Sequence, residues 1–79
     1  MDAQTYQIDS PEALDAAVLP RIVDGKDTNP IPHIIRADIR SAVVTLDRWD
    51  FTLIVRPDGG CQLDETADGV TRTLHYWKA

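Results

Sequence analysis

The chain has 79 residues, of which 43% are hydrophobic, and thirteen acidic side chains outnumber eight basic ones to give a net charge of −5. This length and composition predict one small globular domain, residues 1–79, and exclude a disordered acidic tail. The charge opposes direct binding to nucleic-acid phosphates or to an anionic membrane, because both require clusters of Lys and Arg.

The lone cysteine, Cys61, excludes an intrachain disulfide and fits a reducing compartment. The N-terminus lacks the basic and apolar segments of a secretory signal. No stretch approaches the roughly 20 apolar residues that span a bilayer. We therefore expect a soluble, cytoplasmic protein.

The N-terminal part of the chain predicts a strand followed by a helix. Tyr6 and Ile8 alternate within residues 4–8, as in a strand with one buried face. The Asp-Ser-Pro-Glu sequence of residues 9–12 predicts a helix start, with a side-chain cap, a proline that needs no partner for its nitrogen, and acids near the positive end of the helix dipole. Pro20 ends or kinks this helix, and residues 21–24 are compatible with one further turn.

The middle of the chain is ambiguous. Gly25, Pro30 and Pro32 predict a loop without regular structure over residues 25–33. Residues 34–46 fit both a bent strand rich in β-branched side chains and a helix with an apolar stripe. We favour the strand.

The C-terminal half predicts an antiparallel meander. Apolar and polar residues alternate in residues 51–55, 61–64 and 70–77, and Gly-containing turns separate these segments. The predicted fold is therefore α+β in the order β-α-β-β-β-β. One N-terminal helix covers one face of an antiparallel sheet of four to five strands.

Few residues suggest catalysis or metal binding. His33, Cys61 and His75 are the candidate soft metal ligands, and their spacing matches no metal-binding motif. The acids lie on turns, where solubility alone explains them. We expect no cofactor, no metal and no enzymatic activity.

The aromatic residues are candidate binding anchors, because Trp and Tyr dominate interface energies. Tyr76 and Trp77 are predicted to point to opposite sheet faces. The face that the helix leaves open then carries either Thr71, Thr73, His75 and Trp77 or the alternate residues, with Trp49 on a neighbouring turn. These aromatics could equally complete a second, minor core.

The acids are distributed unevenly. They are concentrated in two stretches without Lys or Arg, one near the N-terminus and one around residues 57–71. Duplex DNA as long as this domain carries about 18 charges, so a net charge of −5 is too small to imitate DNA. A local acidic patch with an aromatic anchor is the alternative. The predicted partner-binding residues are Asp47, Trp49, Asp50, Asp58, Asp64, Glu65, Asp68 and Trp77.

In size, acidic balance, lone cysteine and single α+β layer, the chain resembles the small phage-encoded anti-CRISPR proteins that act on type I effector complexes. Because that group has no shared motif, the resemblance assigns a role to no residue, including those of the helix start at 9–12. It implies a non-enzymatic inhibitor, a monomer or weak homodimer, that binds a basic surface of a Cas subunit and blocks target DNA binding. The alternative is a small structural protein that forms homo-oligomers through its open sheet face.

Overall fold

A computed structural model describes residues 2–79 of the chain. Along this range the elements are β1 (Gln4–Ile8), α1 (Pro11–Val18), β2 (Ile22–Val23), β3 (Lys26–Asp27), α2 (His33–Leu46), β4 (Phe51–Val55), β5 (Cys61–Ala67) and β6 (Val70–Trp77). Four strands form an antiparallel sheet in the order β1-β4-β5-β6, and β2 and β3 form a separate hairpin. The α+β class is confirmed, and the predicted element order roughly fits.

Helix α1 begins where the sequence predicts. The Ser10 hydroxyl accepts a hydrogen bond from the backbone N–H of Ala13 at 3.1 Å, and Pro11 occupies the first helical position. Leu14, Ala17 and Val18 are buried in the core. The helix stops before Pro20, as predicted, and the predicted strand β1 is also confirmed. In this segment the local sequence preferences agree with the tertiary packing.

The hairpin β2-β3 replaces the predicted helical turn and the first part of the predicted loop. Asp24 and Gly25 both have positive φ, 50° and 76°, which is the geometry of a tight two-residue hairpin turn. The side-chain amide of Asn29 donates to the carbonyls of Ala17 and Leu19 at 3.0 and 2.7 Å. The loop after β3 thereby satisfies one carbonyl in the last turn of α1 and that of its C-cap residue, Leu19.

Asp27 at the end of β3 is expected to make the stability of the fold depend on pH. Its carboxylate pairs with the buried guanidinium of Arg36 and accepts the backbone N–H groups of Asn29 and Arg21. The Arg36 hydrogen bond, followed by that of Asn29, lowers the pKa of Asp27 from 3.8 to about 2. Because the folded state favours the charged form, this stabilisation is complete above pH about 4 and is lost as the pH falls towards 2.

Urea denaturation of the Asp27→Asn variant at several pH values between about 5 and 2 measures this contribution. The variant should lose less stability on acidification than the original protein does. Asp24→Asn, in the same hairpin, serves as the control and should retain the original pH dependence. Identical pH profiles for all three proteins would contradict the assignment to Asp27.

Helix α2 shows that the preference for a strand over residues 34–46 was wrong and that the helical alternative is correct. Ile35, Ile39 and Val43 recur every four residues and are all buried. Helix α2 lies beside α1 on the same face of the sheet, which one eight-residue helix cannot cover alone. Burial of the apolar face of the sheet under a second helix therefore contributes more to stability than the strand preference of the β-branched side chains.

The predicted meander is confirmed, with one irregularity in β6. The register of β5 and β6 shifts between Leu63 and Asp64, so that Leu63 pairs with His75 while Asp64 pairs with Thr73. Leu74 is thus an extra residue, and the alternation of faces changes there. Neither predicted set of open-face residues is correct. The open face carries Thr71, Thr73 and Tyr76, and the helix face carries Arg72, His75 and Trp77.

The core lies between the two helices and the helix face of the sheet. Its largest fully buried side chain is Phe51 of β4. The other buried core residues are Ile8, Leu14, Ala17, Val18, Ile31, Ile35, Ile39, Val43, Leu53, Val55, Cys61, Leu63 and Trp77.

Candidate functional site

The eight predicted partner-binding residues do not form one cluster. Asp58 lies in the β4-β5 turn and Asp68 in the β5-β6 turn, at opposite ends of the sheet. The seven residues of β5 separate the two turns by about 23 Å at the usual rise of a strand. The base-free stretch around residues 57–71 is therefore continuous in sequence and divided in space.

Trp77 is a core residue, contrary to its prediction as an exposed anchor. Only 7% of its surface is exposed, it pairs with the buried Cys61, and its ring lies 4.2 Å from that of His75. Tyr76 is the exposed aromatic of this strand, at 53%. The guanidinium of Arg56 lies over the Tyr76 ring at 4.0 Å, which gives a cation–π contact on the open face.

Asp64 is buried in a hydrogen-bond network on the open face. Its Oδ1 accepts from the amide of Gln62 and from the hydroxyl of Thr73, each at 2.9 Å. The bond from Thr73 joins β6 to β5, and the bond from Gln62 lies within β5. The carboxylate that was predicted to meet a partner is instead used within the sheet.

Glu65 is also buried, on the opposite face of β5, with 2% of its surface exposed. Arg72 donates to its Oε1 through Nε at 3.2 Å, and the Nη2 of Arg72 lies 3.1 Å from the same oxygen. Arg48 forms an ion pair with Oε2 that lacks hydrogen-bond geometry. The two partly exposed arginines compensate the buried negative charge of Glu65.

Other acids converge on the same end of the sheet. Asp47 closes α2 in the left-handed conformation, and Asp50 precedes β4. Because Ile8 pairs with Phe51, the start of α1 lies at this end as well. We name this region the acidic end and define it by its carboxylates: Asp9, Glu12, Asp47, Asp50, Glu65 and Asp68.

The acidic end carries most of the net charge. Its six carboxylates face two arginines, Arg48 and Arg72, which gives a net charge of −4 out of −5 for the whole chain. Asp9 and Glu12 come from the other base-free stretch, and sequence reasoning did not place them here. Their proximity follows from the pairing of β1 with β4, which no local pattern predicts.

Apolar groups accompany these charges. Trp49 is partly buried and packs against the core, while Leu46 and Val70 are exposed at 37% and 65%. Asp50 lies between Trp49 and β4, and its backbone carbonyl accepts the N–H of Thr66 at 3.1 Å. Its buried Oδ1 has no hydrogen-bond partner within residues 2–79. Trp49 is of a residue type that often anchors protein contacts.

Cys61, a candidate metal ligand, is buried and does not belong to the acidic end. Burial raises the pKa of the Cys61 thiol to about 11, an effect that nearby Arg56 opposes. A thiol in this state is a poor nucleophile, because the thiolate is the reactive form. Residues 2–79 contain no group of three or more His, Cys, Asp or Glu side chains that could hold a metal ion.

Comparisons of the chain with protein-family models, with curated proteins and with solved structures found no match. Neither α1 nor α2, the helices of the described range, is long and apolar enough to cross a bilayer. The acidic end is the basis for the proposal on function that follows.

Proposed function

We propose that this protein is a non-enzymatic inhibitor that binds a basic, nucleic-acid-handling protein surface in the cytoplasm and blocks its access to DNA. The observation that carries the proposal is the concentration of net charge at the acidic end, −4 out of −5, around the partly buried Trp49. The resemblance of the chain to small anti-CRISPR proteins makes a Cas effector subunit one example of such a partner. The protein acts as a monomer or weak homodimer and needs no cofactor.

Charge asymmetry of this kind favours a partner of opposite sign. Like charges on one end attract a basic groove over about 8–10 Å at physiological salt and accelerate the encounter. A nucleic-acid-binding groove is such a surface, since it neutralises phosphates with Lys and Arg. An acidic protein seated there competes with DNA for the same cations.

Short-range contacts then supply the bound geometry. Trp49 offers a large aromatic surface, and Val70 and Leu46 extend the apolar area. A partner arginine can donate to the exposed carboxylates of Asp47 and Asp68. Charge-assisted hydrogen bonds of this type are stronger than neutral ones.

Neutralising the acidic end is expected to weaken binding about tenfold at low salt. The test variant carries Asp9→Asn, Asp47→Asn and Asp68→Asn. Asparagine suits Asp47 and Asp68 because both have positive φ, which Asn tolerates. The measurement is the electrophoretic mobility of target DNA mixed with a purified type I effector complex and increasing amounts of each variant.

The matched control carries Asp2→Asn, Asp24→Asn and Asp58→Asn, which removes the same charge from outside the acidic end. It should block DNA capture as well as the original protein does. Equal weakening by both triple variants would show that net charge acts without the acidic end. Unchanged DNA capture at saturating original protein would exclude the effector complex as the target.

The open sheet face supports a second candidate function, self-association. The helices leave this face uncovered, and its side chains are mostly hydroxyls and amides. Ile54 and Tyr76 are the large apolar groups on it, and Arg56 already covers Tyr76. The face can therefore support weak pairing of two copies. Sedimentation at several concentrations tests this, because a mass that stays at one chain throughout removes the candidate.

A further inference from the structure

Strand β1 is an open edge of the four-stranded sheet. It lies at the end of the order β1-β4-β5-β6 and pairs with β4 alone. The backbone N–H and C=O groups on its outer side have no hydrogen-bond partner within residues 2–79. The side chains of Gln4, Thr5 and Gln7 are exposed, whereas those of Tyr6 and Ile8 pack in or against the core. A row of unpaired backbone groups of this kind can pair with a further strand.

The other edge of the sheet, β6, is protected against such pairing. It contains the extra residue Leu74, carries Arg72 and is followed by Lys78. Bulges and charged side chains are features by which natural proteins prevent edge strands from pairing. Residues 4–8 of β1 contain no charge, no proline and no glycine, and their register with β4 is unbroken. The contrast within one sheet indicates that β1 is the edge available for a further strand.

The surroundings of β1 are acidic. Residues 2–20 contain no Lys or Arg, whereas Asp2 and Asp9 flank the strand and Glu12 follows in α1. Asp2 and Asp9 are separated by about 23 Å at the usual rise of a strand. Two copies paired antiparallel through β1 would bring the Asp9 of one copy near the Asp2 of the other, which is unfavourable. An extended segment with a basic residue at each end is instead complementary in charge.

We propose that β1 binds an extended segment of a partner protein, with a basic residue at each end and uncharged residues between. The segment adds to the sheet as a fifth strand, and its basic residues lie beside Asp2 and Asp9. Backbone hydrogen bonds to the outer side of β1 supply the affinity, and the charges select the segment. The site shares Asp9 with the acidic end. It requires neither Trp49 nor a nucleic-acid-handling partner, so the inference does not rest on the proposed function.

The test is a titration of the isotope-labelled full-length chain with the peptide Lys-Thr-Val-Thr-Val-Thr-Val-Lys, followed by NMR. We expect saturable shifts of the amide signals of residues 4–8. Hydrogen exchange of the outward amides of β1 should become slower, because they now donate to the peptide, while exchange in β6 should not change. A peptide with Glu in place of both lysines should bind about tenfold more weakly at low salt.

Asp2→Asn combined with Asp9→Asn should also weaken binding of the lysine peptide about tenfold at low salt. The matched control is Asp38→Asn combined with Asp68→Asn, which removes the same charge from exposed positions in α2 and in the β5-β6 turn. It should bind as the original protein does. Equal weakening by the two double variants would overturn the proposal, because general charge attraction would then suffice.

Two further outcomes would contradict the addition of a partner strand. Unchanged hydrogen exchange in β1 at saturating peptide would show that the peptide does not pair with its backbone. Sedimentation of the peptide-free protein as a concentration-dependent dimer, with slower exchange in β1 at high concentration, would show that a second copy occupies the edge instead.

Discussion

Replacing Trp77 with alanine is expected to lower the free energy of unfolding by about 3–5 kcal/mol. The side chain is 7% exposed and packs within the core cluster. Its removal takes apolar surface out of the core and leaves a cavity between β6 and the helices. A domain of this size commonly has a core worth only about 3–5 kcal/mol, so the variant should be largely unfolded at 25 °C.

The matched variant is Trp49→Ala, which removes the same side chain from a partly buried position at the acidic end. It should cost about 1–2 kcal/mol, because less of its surface leaves water on folding. Urea denaturation followed by circular dichroism compares the two variants. If Trp77→Ala were as stable as Trp49→Ala, Trp77 would not be the core residue that its burial indicates.

The two tryptophans illustrate how far sequence patterns reach in this protein. Alternation in β6 correctly predicts that Tyr76 and Trp77 face opposite ways, because side chains alternate along any strand. Which of them faces the helices depends on the register with β5, and that register shifts at Leu63. A bulge depends on contacts between strands, so the sequence of β6 alone does not reveal it.

The start of α1 and the tight turns were predictable from local sequence, whereas the second helix that covers the sheet was not. Ser10 and Pro11 mark the start of α1 by interactions within one turn, and the Asp-Gly pair at residues 68 and 69 forms the tight turn that it predicts. The apolar pattern of residues 34–46 fits both a strand and a helix, and its β-branched side chains favour the strand. The helix forms because α1 is too short to cover one face of the sheet alone, and the sequence of residues 34–46 does not reveal this requirement.

The acidic end was predictable in part from the sequence. Asp47, Trp49, Asp50 and Asp68 lie at one end of the molecule, as a site requires. Asp58 lies at the other end, because a strand of seven residues separates the two turns of a meander. Asp9 joins the site through the pairing of Ile8 with Phe51, residues that are far apart in sequence. Contacts over such separations require the fold and cannot be inferred from charge runs.

Reversing the charge of Glu65 with lysine is expected to destabilise the protein by about 3–5 kcal/mol. Glu65 is 2% exposed, and its carboxylate lies between the guanidinium groups of Arg48 and Arg72. A lysine here would bury a third cation beside these two and remove the acceptor that they share. Glu65→Gln should cost less, about 1–3 kcal/mol, because the amide oxygen still accepts one hydrogen bond.

Asp9→Lys is the matched reversal, since Asp9 belongs to the acidic end and is exposed. Its cost should stay near 0.3–1 kcal/mol, roughly the value of an acid near a helix N-terminus. Urea denaturation at pH 7 measures all three variants. A Glu65→Lys protein as stable as Asp9→Lys would show that the ion pairs of Glu65 contribute nothing to folding. Because the expected loss is structural, weaker partner binding by a reversal at Glu65 would report unfolding. Only exposed acids such as Asp9, Asp47 and Asp68 can test the binding surface itself.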